Sequence, residues 1–364
     1  MADSASEHDN PSLRSPRHWP SWLLMGLGSL LAQLPYRLQM ALGRALGGLG
    51  YHLVGERRRI AAINLRLCFP ELGEQERDRL LRAHFRSVGM GALETMLCWW
   101  GPTKRIDSLT HIEGLEHLQA AAARGRGIIL LSAHFTSLEV GVRMALRPLR
   151  ELGYMTTAMY KAPHDPVVDH VMRTRREALI DGSGIRDDDV KGLLRALRRK
   201  DAVWYAADQK PAKRFGVVVD FFGQPARTHI ALSRLARISK ASVVPFFTLR
   251  KADGSGYRLI IKPAITDDLG ADESEDARRI NAMIESVVRE APEQYFWLHQ
   301  RFKRSGYNPY KPGKNRRIAA AQRRPVRVQK IKTHRHGAEF GQRAVQAHEI
   351  GFAPAPGRAQ PGLV

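Results

Sequence analysis

The sequence predicts an α/β fold built on a mixed, largely parallel central sheet flanked by helices, with an N-terminal helical segment that associates with a membrane. Three observations carry the fold class. Short apolar runs at 128–132, 154–160, 202–206, 242–250 and 257–262 have the length of buried strands. Helical stretches at 115–123, 138–149, 167–180, 190–199, 231–238 and 275–290 alternate with them, and alternation on that scale is the mark of βαβ units. Asp253-Gly254 lies between the last two runs, a turn dipeptide that pairs those strands antiparallel and makes the sheet mixed at one end.

The chain divides into four parts. Residues 1–16 are polar and proline-containing and are expected to be disordered. Residues 17–56 are largely apolar from Trp19 to Val54, but Pro35 interrupts after an apolar run of about 15 residues, where a spanning helix needs about 20. Beyond it, Gln39, Arg44 and many glycines suit an interfacial amphipathic segment. Arg14, Arg17 and His18 precede this region and Arg57-Arg58-Arg59 follow it. It is read as an uncleaved membrane anchor, either interfacial or a single short tilted span, with a buried hairpin of apolar helices as the alternative. Residues 57–310 form the main domain. Within it, 74–100 reads as a long helix whose Leu81, Phe85, Val88 and Ala92 recur at spacings of three and four. Trp99-Trp100 closes that helix before the Gly101-Pro102 break, either at a membrane interface or as a cap on the core. Residues 311–364 lack periodic apolar positions and read as a solvated basic tail.

The net charge is +22, and a surface of that sign attracts nucleic acid, anionic lipid headgroups or an acidic protein. Residues 311–364 carry twelve Lys and Arg against two Glu, which leaves +12 on residues 1–310. Nucleic acid is set aside as a partner because no recognisable binding module or stacked-aromatic signature is present. Cys68 and Cys98 sit in apolar surroundings without zinc or CxxC spacing. They are expected to be buried and reduced, which fits the cytoplasmic side of a membrane.

The chemistry centres on the break after the 128–132 run. His134 stands at the strand-to-helix junction and Glu139 follows five residues later. On one continuous helix those positions lie roughly 140° apart. With His134 on the loop and Glu139 in the first turn, the carboxylate is expected to reach back to the imidazole. That would fix a tautomer with one ring nitrogen free as a general base. The bland alternative is a loop histidine beside an ordinary first-turn glutamate. No Gly-x-Ser-x-Gly elbow exists and no cysteine lies near His134, so direct attack by an acceptor hydroxyl is simpler than an acyl-enzyme. Ser132 and Ser137 read as structural.

The stretch His134-Phe135-Thr136-Ser137-Leu138-Glu139-Val140-Gly141 resembles the catalytic motif of the lipid A late acyltransferases, the lauroyl/myristoyl transferase family. Gln33-Leu34-Pro35-Tyr36, Asn64-Leu65-Arg66-Leu67-Cys68-Phe69-Pro70-Glu71 and Arg86-Ser87-Val88-Gly89-Met90-Gly91 add to it. So do Val203-Trp204-Tyr205-Ala206-Ala207-Asp208-Gln209 and Ala291-Pro292-Glu293-Gln294-Tyr295-Phe296-Trp297-Leu298-His299. The resemblance runs in order from about residue 17 to residue 310.

It implies the architecture of the glycerolipid acyltransferases. It also implies an activity, transfer of a lauroyl- or myristoyl-class chain from acyl carrier protein to a hydroxyl of a Kdo-bearing tetraacyl lipid A precursor. The setting it implies is the cytoplasmic face of the inner membrane, with no cofactor and no metal. His134 and Glu139 are the implied catalytic pair. Lys161 stands where the family usually carries an arginine near the active site; it keeps the charge but loses the bidentate fork. Asp165 stands in place of the usual Asn. Arg176 matches a family arginine, for substrate or for solvent. Asp208, at a position acidic in the family, is expected to be structural or to orient substrate. Phe221-Phe222-Gly223 reads as wall, and His299 and Arg301 stay unassigned.

Overall fold

The computed structural model describes residues 11–180, 184–186, 189–265 and 269–311; the expected basic tail lies outside them but for Lys311. In chain order the helices are α1 (Trp19–Leu31), α2 (Tyr36–Leu53), α3 (Gly55–Cys68), α4 (Glu74–Trp100), α5 (Thr103–Ser108), α6 (Leu115–Ala123), α7 (Leu138–Glu151), α8 (Pro166–Glu177), α9 (Val190–Arg198), α10 (Ala231–Ser239) and α11 (Glu273–Glu290). The strands are β1 (Thr110–Glu113), β2 (Ile128–Ser132), β3 (Thr156–Tyr160), β4 (Ile185–Arg186), β5 (Ala202–Ala206), β6 (Gly216–Phe221), β7 (Gln224–His229), β8 (Ser242–Arg250) and β9 (Tyr257–Ile261).

Seven strands form the main sheet in the order β1-β9-β8-β2-β5-β3-β4. Every pair is parallel except β8–β9, where the chain turns through Asp253-Gly254 with Gly254 at φ +71°. The mixed, largely parallel sheet read from the sequence is therefore present, with its antiparallel pair where the turn dipeptide put it. All five residues of β2 are buried, because helices cover both faces of the sheet; that is why its sequence is a continuous apolar run and not an alternation.

Strand side chains point alternately to two cores. Ile129, Leu131, Val203 and Tyr205 pack with Leu193 of α9, Leu232 of α10 and Ile284 of α11. Ile128, Leu130, Ala202 and Trp204 pack with Met144 of α7, Val171 of α8 and Leu118 of α6. The connection leaving β2 thus goes to one face through α7, and the chain after β5 goes to the other through α10. Such a divergence opens a crevice at the carboxyl edge of a parallel sheet.

Two short edge strands, β1 and β4, and the β6–β7 hairpin were not read from the sequence. The hairpin turns on Phe222-Gly223, both left-handed at φ +51° and +65°, the geometry of a tight primed turn that usually takes Asn or Asp first. Phe222 tolerates it because it is buried against Phe69 and Trp297 and its N–H donates to Glu285 (2.8 Å).

The N-terminal region is a pair of helices, not one. Pro35 disfavours helix in the residue before it, and α1 ends at Leu31. The freed carbonyls of Ala32 and Leu34 accept from the Gln39 amide (2.9 and 2.8 Å) and from Arg105 (3.1 and 2.8 Å). α1 is 13 residues, about 20 Å at 1.5 Å per residue, against a hydrocarbon core of about 30 Å. Among the described residues no helix is long and apolar enough to cross a membrane. Helix α2 presses on α4 through glycine: a Cβ on Gly47 would stand 2.1 Å from the Phe85 carbonyl, and one on Gly89 2.2 Å from that of Gly43. The opposite faces stay bare, with Leu23, Leu30 and Leu53 each more than two-thirds exposed. Residues 11–14, expected to be disordered, form a 3₁₀ turn whose Leu13 carbonyl accepts from Trp22 Nε1 (2.9 Å).

Candidate active site

Strands β2 and β5 run parallel with Ser132 opposite Ala206, and the Ala207 N–H donates to the Ser132 carbonyl (3.2 Å). Two residues past each strand end, this register brings His134 beside Asp208 in the crevice. His134 Nδ1 lies 2.6 Å from Asp208 Oδ1, and the His134 backbone N–H donates to Oδ2 (3.1 Å). Tyr295 lines the same pocket as this carboxylate. Asp208 is buried, and the His134 side chain is 30% exposed.

The electrostatics follow from that pairing. Burial works against the charge on Asp208, but the imidazole beside it and hydrogen bonds from the His134 ring and backbone outweigh burial and hold its carboxyl well below the usual range. Burial likewise disfavours the imidazolium, yet the Asp208 charge and hydrogen bond prevail and raise His134 above its ordinary value. With Nδ1–H donated to the carboxylate, Nε2 carries the lone pair of the neutral ring. The ring stands edge-on to Trp204, centroids 6.4 Å apart. Such a histidine can take a proton from a hydroxyl at Nε2 and return it to a leaving group.

The expectation that Glu139 reaches back to the imidazole is corrected by this geometry. Glu139 is buried in the first turn of α7, where its carboxylate accepts from Arg176 of α8 through Nη2 and, at 3.4 Å, through Nε. The carboxylate that orients His134 comes from the neighbouring strand, for which spacing along the chain gives no signal. Asp208, expected to be structural or substrate-orienting, is that partner. Arg176 meets Glu139, not solvent. Lys161 follows β3 directly, at the same carboxyl edge, and is exposed. Asp165 caps α8, accepting from the N–H groups of Val167 and Val168 (2.9 and 3.0 Å) and from Ser21 Oγ (2.5 Å). Asn and Asp are equally good N-caps, so that departure from the family pattern is neutral for the helix.

Further residues border the site. Asn64, His134, Asp208, Gln209, Tyr295 and His299 line a small cavity of about 10 Å³. His299 Nε2 accepts from the Lys210 N–H (3.0 Å), and burial with Arg301 close by pushes its pKa down to about 4. Tyr295 and Asn64 lay in resemblance motifs, but only the fold shows where they sit. Cys68 and Cys98 are both free and buried, as expected.

Comparison with known proteins gives this geometry its context. The family model described as bacterial lipid A biosynthesis acyltransferase matches residues 6–304. The chain is 38% identical to the lipid A biosynthesis lauroyltransferase of Escherichia coli K12, over 80% of this chain and 94% of that protein. It is 34% identical to the palmitoleoyltransferase of the same strain (79% and 92%) and 31% identical to its myristoyltransferase (79% and 88%). Among solved structures it is similar to the 1-acyl-sn-glycerophosphate acyltransferase PlsC of Thermotoga maritima, at 14% identity and a TM-score of 0.33, over 70% of this chain and 98% of that one. With most of its length matched, the chain is an acyltransferase and belongs to the bacterial lipid A biosynthesis acyltransferase family.

Proposed function

We propose that this enzyme moves a fatty acyl chain of the lauroyl or myristoyl class from acyl carrier protein to a hydroxyl of a Kdo-bearing lipid A precursor, with His134 as general base. The observation that carries the mechanism is the 2.6 Å contact between His134 Nδ1 and Asp208 in the crevice at the sheet's carboxyl edge. His134 Nε2 takes the proton of the acceptor hydroxyl as its oxygen attacks the thioester carbonyl. The tetrahedral oxyanion then collapses, the C–S bond breaks, and the imidazolium returns the proton to the departing thiolate. Asp208 holds the ring and stabilises the imidazolium. A base so placed is worth about 10²–10⁴ in rate. Lys161, at the end of β3, supplies a positive charge at the same edge for the oxyanion or a substrate phosphate. Arg176 is committed to Glu139 and serves by holding α7 and α8 together.

The acceptor's acyl chains are membrane-embedded, and the bare apolar faces of α1 and α2 suit seating at that surface. Trp19, Leu23, Leu27 and Leu30 on α1 and Leu46, Leu49 and Leu53 on α2 are exposed, and interfacial helices present such faces to lipid. The enzyme works on the cytoplasmic side of the inner membrane, where acyl carrier protein is available. Donor length is weakly set by hydrophobicity alone, since a two-carbon difference is worth about 1.6 kcal/mol. The test is incubation of purified enzyme with labelled lauroyl and myristoyl acyl carrier protein and a Kdo-bearing tetraacyl precursor. Mass gain by one acyl chain supports the reading; no transfer to this acceptor beside transfer to another glycolipid overturns it.

A further inference from the structure

Arg250, at the end of β8, is buried beneath the loop that carries His134, and its contacts reach that loop from two sides. On one side its guanidinium donates from Nη1 to Ser87 Oγ (2.6 Å) and from Nη2 to the Ser87 carbonyl (3.2 Å). Ser87 Oγ in turn shares a hydrogen bond with Thr136 Oγ1 (2.7 Å). On the other side the Arg250 N–H donates to Gln294 Oε1 (2.8 Å), and the Gln294 amide donates to the Arg250 carbonyl (3.1 Å). The Gln294 carbonyl accepts the Thr136 N–H (2.8 Å), and two residues on the Phe296 N–H donates to the His134 carbonyl (2.9 Å). Thr136, two residues from the base, is therefore held at its hydroxyl and at its N–H, both routes ending on Arg250.

The arginine is itself fixed. Its Nε and Nη2 donate to the two oxygens of Glu94, Nη2 at 2.7 Å, and Tyr257 donates to Glu94 (2.9 Å). Tyr36, at the start of α2, packs edge-on against Tyr257 with ring centroids 5.9 Å apart. Gly91 packs so closely on this loop that a Cβ would stand 2.3 Å from the Thr136 carbonyl. A buried pair of this kind is a poor source of net stability compared with apolar packing. Its value here lies in geometry, because a shift of about 1 Å in a reacting group can cost about 10²-fold in rate.

We propose that Arg250 is a positioning residue for His134, acting through Ser87 and Gln294 to fix the loop at Thr136. The proposal rests on His134 being the base. It also assigns a task to segments 33–36, 86–91 and 291–299, which the chemistry of the dyad leaves unused.

The test is steady-state kinetics of the full chain across pH for Thr136→Val, Thr136→Ser, Arg250→Lys and His134→Ala. Valine keeps the shape of threonine and removes only the link to Ser87. Thr136→Val is expected to lower kcat about tenfold with KM for both substrates within about twofold. It should also move the acid limb of the profile to lower pH, because a looser ring pairs less well with Asp208. Thr136→Ser restores the hydroxyl and should recover most of kcat. Arg250→Lys keeps a charge against Glu94 but loses the fork and should follow Thr136→Val. An inactive His134→Ala beside a Thr136→Val of unchanged kcat and pH profile overturns the positioning proposal alone. Serine no better than valine overturns it too, and an active His134→Ala overturns the base assignment instead.

Discussion

His134 Nδ1 lies 2.6 Å from Asp208 Oδ1 across two adjacent parallel strands, while Asp208 Oδ2 receives the backbone N–H of the same histidine. One carboxylate therefore fixes both the ring and the main chain that bears it. Because His134 must be neutral to accept a proton, kcat/KM falls as pH drops through its pKa. The Asp208 charge raises that pKa, so the acid limb is expected above the ordinary value of about 6.5. Asp208→Asn should move the limb to lower pH and reduce kcat by about 10²–10⁴, as the imidazolium loses its counter-charge and the tautomer its restraint. A pH–rate series on both enzymes checks this, and an unmoved limb with undiminished kcat argues against the pairing.

Glu139→Gln should behave differently, since Glu139 meets Arg176 and not the base. A largely buried charge-assisted hydrogen bond is worth about 2 kcal/mol, so denaturant unfolding should show a loss of that order. The fall in turnover should be smaller than for Asp208→Asn. Equal or greater loss of kcat with no loss of stability would return Glu139 to the chemistry.

The parallel sheet, its antiparallel end and the long α4 were legible because their signals are local: apolar runs, an Asp-Gly turn, a stripe at spacings of three and four. The location of His134 was legible for the same reason. Its partner was not. Asp208 lies 74 positions away, and only the Ser132–Ala206 register places it at the ring. The β6–β7 turn was hidden because tertiary packing holds Phe222 in a conformation its side chain does not favour. Arg250 was hidden for a related reason: inside an apolar strand it reads as a strand end, and its charge is explained only by Glu94 on another element.

Membrane seating through α1 is tested by Leu23→Glu with Leu27→Glu, both at positions more than half exposed. The double variant should fold with an unchanged melting temperature and lose co-sedimentation with anionic vesicles. Undiminished co-sedimentation would place the contact elsewhere.

The donor reading turns on charge. Residues 1–310 carry +12, which steers a strongly acidic carrier protein more than a coenzyme A thioester. Acyl carrier protein should be the better donor, with an advantage that shrinks as ionic strength rises from about 0.01 M to about 0.15 M and the Debye length falls from about 30 Å to about 8 Å. Deleting residues 311–364 should leave the preference in place. Parallel salt slopes for the two donors would contradict steering, and a preference lost with the tail would move the docking site there.

The most direct measurement is single-turnover acyl transfer by His134→Ala, beside its thermal unfolding curve. Removal of the base is expected to slow the chemical step by at least about 10²-fold while the melting transition stays near that of the parent. A His134→Ala enzyme that keeps more than about a tenth of the parent rate, below the smallest effect of a general base, would contradict the assignment of His134.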